Sequence, residues 1–344
     1  MTTTQAAGPR LPGISAKAYE HPADRAATSA LRSIPLMDRL LKTLSELGLE
    51  KRHRQILLGN AVRLGTDQVP AVWDLHCDAA AALDIDPPLL YVTQTPVANA
   101  LTIGARSPVV IVFSELVASY QPEEVHAVLA HELGHVLSEH TYYTGALYTL
   151  AQVLQGVSLI PLAGLPARGL YMALLEWARA AELSSDRAAA IAVGDPQIVC
   201  ASLMRLAGGA LPGMNLQAFL RQATEYTEEE DLFARHARFR DELARPHPFA
   251  VRRVRELVGW VGTGEYDRIM AGSYVRRGEE PPMTQEFESA VAHYRERFNL
   301  MVERTAGGIT KLTGQIQSWL SNLTDSGSRG GGDEDEGGES SGAS

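Results

Sequence analysis

Three residues in the run "VLAHELGHVLSEH", residues 128–140, could do chemistry together. His131, Glu132 and His135 spell H-E-x-x-H. On a helix, His131 and His135 lie one turn apart on one face, with Glu132 beside them. Two imidazoles so placed can hold a metal ion, and the adjacent carboxylate can take a proton from water that the metal activates. Chance alone produces such a motif about once per hundred chains of this length. The rest of the chain therefore has to supply the missing ligand.

Catalytic zinc takes three protein ligands and keeps a fourth position for water or substrate. An extended motif would put Gly at position 138 and the third His at 141; this chain has Ser138 and Thr141. His140 falls one residue short, about a hundred degrees round a continuing helix. A later helix, "LYMALLEWARAAELSSDRAAAIAV", offers Glu176 and Glu182. Glu182 has Asp186 one turn along the same face, where a carboxylate can accept the free ring N–H of a ligating His. Glu176 has Ala180 at that place. Glu182 is therefore read as the third ligand to one zinc ion per chain, with Asp186 behind it. His21, His126 and His140 read as ordinary loop, core or surface histidines.

Several elements must position these residues. The motif helix starts at Gln121-Pro122-Glu123-Glu124. Pro suits the first helical position, and the acids suit the positive end of the helix dipole. Before it, "LLYVTQ", "NALTIG" and "PVVIVF" are β-branched runs that predict a small antiparallel sheet. Helical spacing runs from Ala27 to about Leu64 and again through "VPAVWDLHCDAAAALDI". More helix is expected in "TEEEDLFARHARFRDEL", opened by a capping box from Thr227 to Glu230, and in "TQEFESAVAHYRERFNLMVERT". The class is α+β, mainly helical. The expected organisation is an irregular leader over 1–26, an N-terminal helical segment over 27–85, the metal-binding core over 86–262, C-terminal helices over 263–324 and a disordered acidic Gly/Ser tail over 325–344.

Composition narrows the function. The 344 residues carry a formal net charge of −10, and −5 of that falls in the tail from Asp325 onward. No basic footprint for nucleic acid is present. The two cysteines, Cys77 and Cys200, form no CxxC pair, and the N-terminus has no apolar signal region. A cytoplasmic setting is expected. Residues 141–167 carry no charge before Arg168 but include Gln152, Gln155, Ser158 and Pro161. They read as buried or interfacial helices giving peripheral membrane contact rather than as an inserted span.

The chain resembles the HtpX and CAAX-prenyl-protease type of zinc metallopeptidase, a gluzincin family with HExxH and a distal Glu. "HELGH" is that family's wording of the motif, and "ELSSDRAA" is similar to its E-x-x-x-D segment. "VANALTIG" resembles its Asn-Ala strand, and "RPHPFAVRRV" its late His-Pro segment with an Arg six residues on. The resemblance implies a zincin-like fold and an endopeptidase acting on proteins or peptides in protein quality control. Zinc-activated water would attack, with Glu132 as general base. It also implies that Asn99 and Ala100 lie along bound substrate, that His247 helps stabilise the tetrahedral intermediate, and that Arg253 supports the site. The competing expectations are a catalytically silent metal-binding scaffold and an integral-membrane protease of the same family.

Overall fold

The computed structural model of the chain describes residues 8–46, 48–155, 167–228, 245–280, 284, 287–296 and 298–299. Residues 8–21 are irregular apart from one 3-10 turn at Ala16–Ala18, but they are packed against the rest of the protein. Leu11, Ile14 and Tyr19 are 3%, 0% and 1% exposed and belong to the main core. Their spacing follows neither a helix nor a strand period, so the pattern reads as loop although each side chain is buried. Arg10 ties the segment to Asp78 at 2.7 Å, and Ile14 bridges to Arg276.

The N-terminal helices follow their apolar spacing. Helix α1 (Pro22–Arg32) is capped by His21, whose Nδ1 accepts the Ala23 N–H at 3.1 Å. Next come α2 (Pro35–Glu46) and α3 (Leu49–Asn60). A two-residue strand, β1 (Val62–Arg63), precedes α4 (Pro70–Ala82). The three β-branched runs become β2 (Leu89–Thr93), β3 (Ala100–Ile103) and β4 (Val109–Phe113).

The sheet is mixed rather than antiparallel. Its order is β1-β2-β4-β3, with β2 parallel to β4 and the other two pairs antiparallel. After β2 the chain skips one position to lay down β3, then fills the gap with β4 through a hairpin. Strand propensity marks the strands but not this order, which long-range packing decides. The arrangement leaves β3 at an edge.

A short helix, α5 (Ser114–Ser119), leads into α6 (Pro122–Leu137), which carries HELGH. Glu124 closes its first turn by accepting the Gln121 backbone N–H at 2.8 Å. Then come α7 (Thr141–Leu154) and the 27-residue α8 (Ala167–Val193). They are followed by α9 (Pro196–Gly208), α10 (Leu216–Glu228), α11 (Ala250–Gly262) and α12 (Glu265–Met270). Thr227 lies near the end of α10, and the helix and capping box expected from Thr227 to Glu230 onward fall outside the described residues. Residues 156–166, 229–244 and the acidic tail fall outside the described residues. Among the described residues no helix is long and apolar enough to cross a membrane.

Helix α8 joins two apolar clusters. Its first half packs with α1, α2 and α7 through Leu170, Leu174 and Trp177. Its second half, Ala188 to Ala192, packs with α4, α6, α9 and the inner face of the sheet. The crossing with α6 is unusually close. A Cβ added at Gly134 would meet the Ala188 Cβ at 2.6 Å and the Ser185 Cα at 3.2 Å. The glycine of HELGH is thus required by helix packing. Gly134→Ala is expected to lose stability in urea unfolding, since overpacking of about 1–3 kcal/mol exceeds the roughly 1 kcal/mol gained in helix propensity. Bound metal should fall with it, because the two metal-ligand helices must separate. Unchanged stability and metal content would show that the crossing has slack.

Candidate metal centre

Helix α6 presents His131 and His135 one turn apart, and α8 presents Glu182 across the crossing. The two Nε2 atoms lie 3.2 Å apart. Glu182 turns Oε2 to His131 Nε2 at 3.5 Å and Oε1 to His135 Nε2 at 3.4 Å. All three donors fall within one group able to hold a metal ion. Tetrahedral zinc with bonds of about 2.1 Å separates its ligands by about 3.4 Å. The donor set and its spacing therefore fit zinc.

Hydrogen bonding fixes which atom each His131 nitrogen offers. Asp186 Oδ1 lies 3.1 Å from His131 Nδ1. The carboxylate can only accept, so Nδ1 carries the proton and Nε2 faces the site with its lone pair. Arg253, from α11, holds both acids. Its Nε and Nη2 donate to Asp186 at 2.8 and 2.6 Å, and its Nη1 lies 2.9 Å from Glu182 Oε2. His247 approaches from the exposed side, with Nδ1 3.0 Å from Glu182 Oε1. Of the residues singled out in the sequence, His131, His135, Glu182, Asp186, His247 and Arg253 are thus brought together. Glu176 is not in this donor group.

Glu132 does not point at the other donors. It is buried, and its Oε2 accepts the Thr102 hydroxyl at 2.6 Å. Thr102 lies in the edge strand β3, two residues beyond Ala100. Asn99 precedes that strand: its carbonyl accepts the Phe113 N–H at 3.0 Å, and its Oδ1 accepts the Ala100 N–H at 2.9 Å.

A model of peptidase family M48 matches residues 74–261, more than half of the chain. The chain belongs to peptidase family M48. It is 36% identical over 272 residues to the plastoglobule-localized metallopeptidase 48 of Arabidopsis thaliana, covering 75% of this chain and 76% of that relative. It is 26% identical over 211 residues to protease HtpX homolog 2 of Methanosarcina acetivorans, covering 52% of this chain and 71% of that relative. The corresponding protease of Methanosarcina mazei is 25% identical over 219 residues, 52% of this chain and 72% of that relative. No solved structure matches the chain. Membership of M48 makes the chain a metallopeptidase, and the scaffold expectation is set aside.

Two residues escaped the sequence reading. Thr102 had a usable signal: strand alternation puts it on the same face as Ala100. His140, read as ordinary, lies against His135, Nδ1 to Nδ1 at 3.0 Å. It was placed a hundred degrees away on the assumption that α6 continues. The helix stops instead. Glu139 adopts a left-handed φ of 57°, and the His140 N–H returns to the His135 carbonyl at 2.9 Å. This is a Schellman turn, with Glu where Gly is usual.

Burial shifts the titrations here. Burial alone would depress His131, but its bonds to Asp186 and Glu182 outweigh that and raise it to about 9. Burial and the nearby Asp24 charge push Glu20 up to about 7. Both folded values lie above the unfolded ones, so both contributions shrink as pH rises. Metal-free protein should lose stability from about pH 4.5 to 7 through Glu20, and from about pH 6.5 to 9 through His131 together with His140 and His247, which are raised too. Thermal unfolding in chelator across this range should show both phases, each about 3 kcal/mol. Glu20→Gln should remove the lower phase and leave the upper one. A stability that stays flat from pH 5 to 9 would contradict both assignments.

Proposed function

We propose that the chain is a zinc-dependent endopeptidase in which Glu132 is the general base. The observation that carries this reading is the convergence of His131 Nε2, His135 Nε2 and Glu182 at 3.2–3.5 Å, with Glu132 beside them but engaged elsewhere. Two imidazole nitrogens this close need a cation between them, a shared proton when the site is metal-free and a metal ion when it is filled. His131, His135 and Glu182 would hold zinc, which when bound supplies Lewis acidity to water and to the scissile carbonyl.

The protein's own groups do the proton work. Glu132 takes a proton from the attacking water and passes it to the leaving amine nitrogen. Thr102 donates to Oε2 and so leaves Oε1 free for that exchange. His247 is exposed to the cleft, and the Glu182 charge raises its pKa. Protonated, it is suited to bond the oxyanion of the tetrahedral intermediate. Arg253 and Asp186 orient the ligands.

Substrate would lie extended along β3. The Asn99–Phe113 hydrogen bond sets the ladder parity, so the main-chain groups of Ala100 and Thr102 point away from β4. Asn99 closes the Ala100 N–H, and the other groups, on residues buried in the peptide-free structure, would pair with a peptide that enters along this edge. Main-chain pairing tolerates many sequences, which suits turnover of proteins in quality control. Both cysteines are free thiols, in keeping with a cytoplasmic setting. Peripheral contact with a membrane surface would draw on α7, where Tyr142, Tyr148 and Leu154 are exposed, spread about 120° apart round the helix.

Glu132→Gln should keep zinc and lose hydrolysis of a broad peptide library by about 10²–10⁴-fold. Cleavage at the parental rate would remove Glu132 from the base role. Glu182→Ala should lose zinc, and full occupancy in that variant would hand the ligand role to another acid.

A further inference from the structure

We infer that His140 and Asp24 form a relay that fixes the tautomer of the metal ligand His135, making His140 a positioning residue for the site. The inference rests on the proposed zinc site and adds residues outside its ligand set.

Asp24 of α1 is almost fully buried. Its Oδ1 accepts the Thr28 hydroxyl at 3.1 Å, and Thr28 in turn accepts the Trp177 indole N–H at 2.8 Å. Its Oδ2 accepts the Ser184 hydroxyl at 2.5 Å and faces His140 Nε2 at 2.9 Å. An ionised carboxylate has no proton to give, so His140 Nε2 must be the donor. A neutral imidazole with its proton on Nε2 presents a lone pair at Nδ1. That lone pair meets His135 Nδ1 at 3.0 Å, so His135 must donate from Nδ1. Nε2 of His135 is then the free electron pair, aimed at His131 Nε2 and Glu182.

The opposite polarity fails at its far end. Were His140 to donate from Nδ1 alone, its Nε2 lone pair would face the Asp24 carboxylate at 2.9 Å; were it to donate from both nitrogens, His135 would have to accept at Nδ1 and carry its own proton on Nε2, which removes the lone pair a metal needs. Both ligating imidazoles are therefore oriented by a buried acid. Asp186 acts on His131 directly, whereas Asp24 acts on His135 through one intervening ring. The Schellman turn at Glu139 makes this reach possible, because it folds His140 back beneath His135. The ring is held from the side by Trp177, edge to face at 5.6 Å between centroids.

The test compares His140→Leu, which fills the space without an acceptor, with His140→Gln. In the latter Oε1 can accept from His135 and Nε2 can donate to Asp24. Zinc affinity is measured by chelator competition, and the fold by circular dichroism. His140→Leu should bind zinc about 10–100-fold more weakly than the parent, and His140→Gln should recover most of that loss. If the parent itself binds no zinc, the site reading beneath the relay is overturned. If the parent binds and His140→Leu binds equally well, the relay alone is overturned. Equal loss in both variants would reduce His140 to packing and overturn it too. Should His140→Leu not fold, nitrogen-15 NMR of histidine-labelled, zinc-loaded parent decides. Neutral His140 with its proton on Nε2 supports the relay; a proton on Nδ1, or on both nitrogens, overturns it.

Discussion

The site depends on how closely α6 approaches α8. At Gly134 the two backbones come so near that a single added carbon would fall 2.6 Å from the Ala188 Cβ. Small residues on both sides, Gly134 against Ser185 and Ala188, make that approach sterically feasible. The consequence is chemical. His131 and His135 bracket Gly134 on α6, while Glu182 and Asp186 bracket Ser185 on α8. A tight crossing therefore brings an imidazole pair and a carboxylate pair to ion-binding distance. A wider crossing would leave the same residues on the same faces without letting them share an ion.

The crossing also falls at the seam between two apolar clusters, and this sets the electrostatics. Carboxylates buried there are costly unless they are paired and fully hydrogen-bonded. The fold meets that cost with one guanidinium across two acids, Arg253 on Asp186 and Glu182. Asp24 meets it with hydroxyls and a ring N–H instead. The two acids that orient imidazoles thus differ in charge balance. Asp186 is neutralised by a neighbouring cation, whereas Asp24 keeps its charge close to His140. Burial also gives the site its chemical leverage, since a low local dielectric strengthens each remaining interaction.

How much of this could be read beforehand depended on the range of each constraint. The candidate donor group was legible because its geometry is local twice over, as H-E-x-x-H within one helix and E-x-x-x-D within another. The three main strands were legible from β-branched runs. The strand order was not, because placing β4 between β2 and β3 is a matter of pairing across the sheet. Residues 8–26 were missed because Leu11, Ile14 and Tyr19 fill gaps made by elements distant in sequence. His140 was missed for a local reason. Helix ends are usually marked by Gly at the left-handed position, and here Glu139 occupies it. Without that break, the extra histidine counts as one more residue on a continuing helix.

Thr102 shows why an edge strand, rather than a loop, lies beside Glu132. Its side chain bonds Glu132, while its main-chain groups point away from β4. In a strand these two directions are fixed relative to each other by the pleat. A peptide pairing in register with β3 is therefore placed relative to Glu132 through a single residue. A slip of one position would turn alternate side chains to the other face and offset the scissile bond from the base. In the proposed mechanism this makes main-chain register, rather than side-chain identity, the first determinant of which bond is cut. Strand β3 must then stay at the sheet edge, and the order β1-β2-β4-β3 secures that.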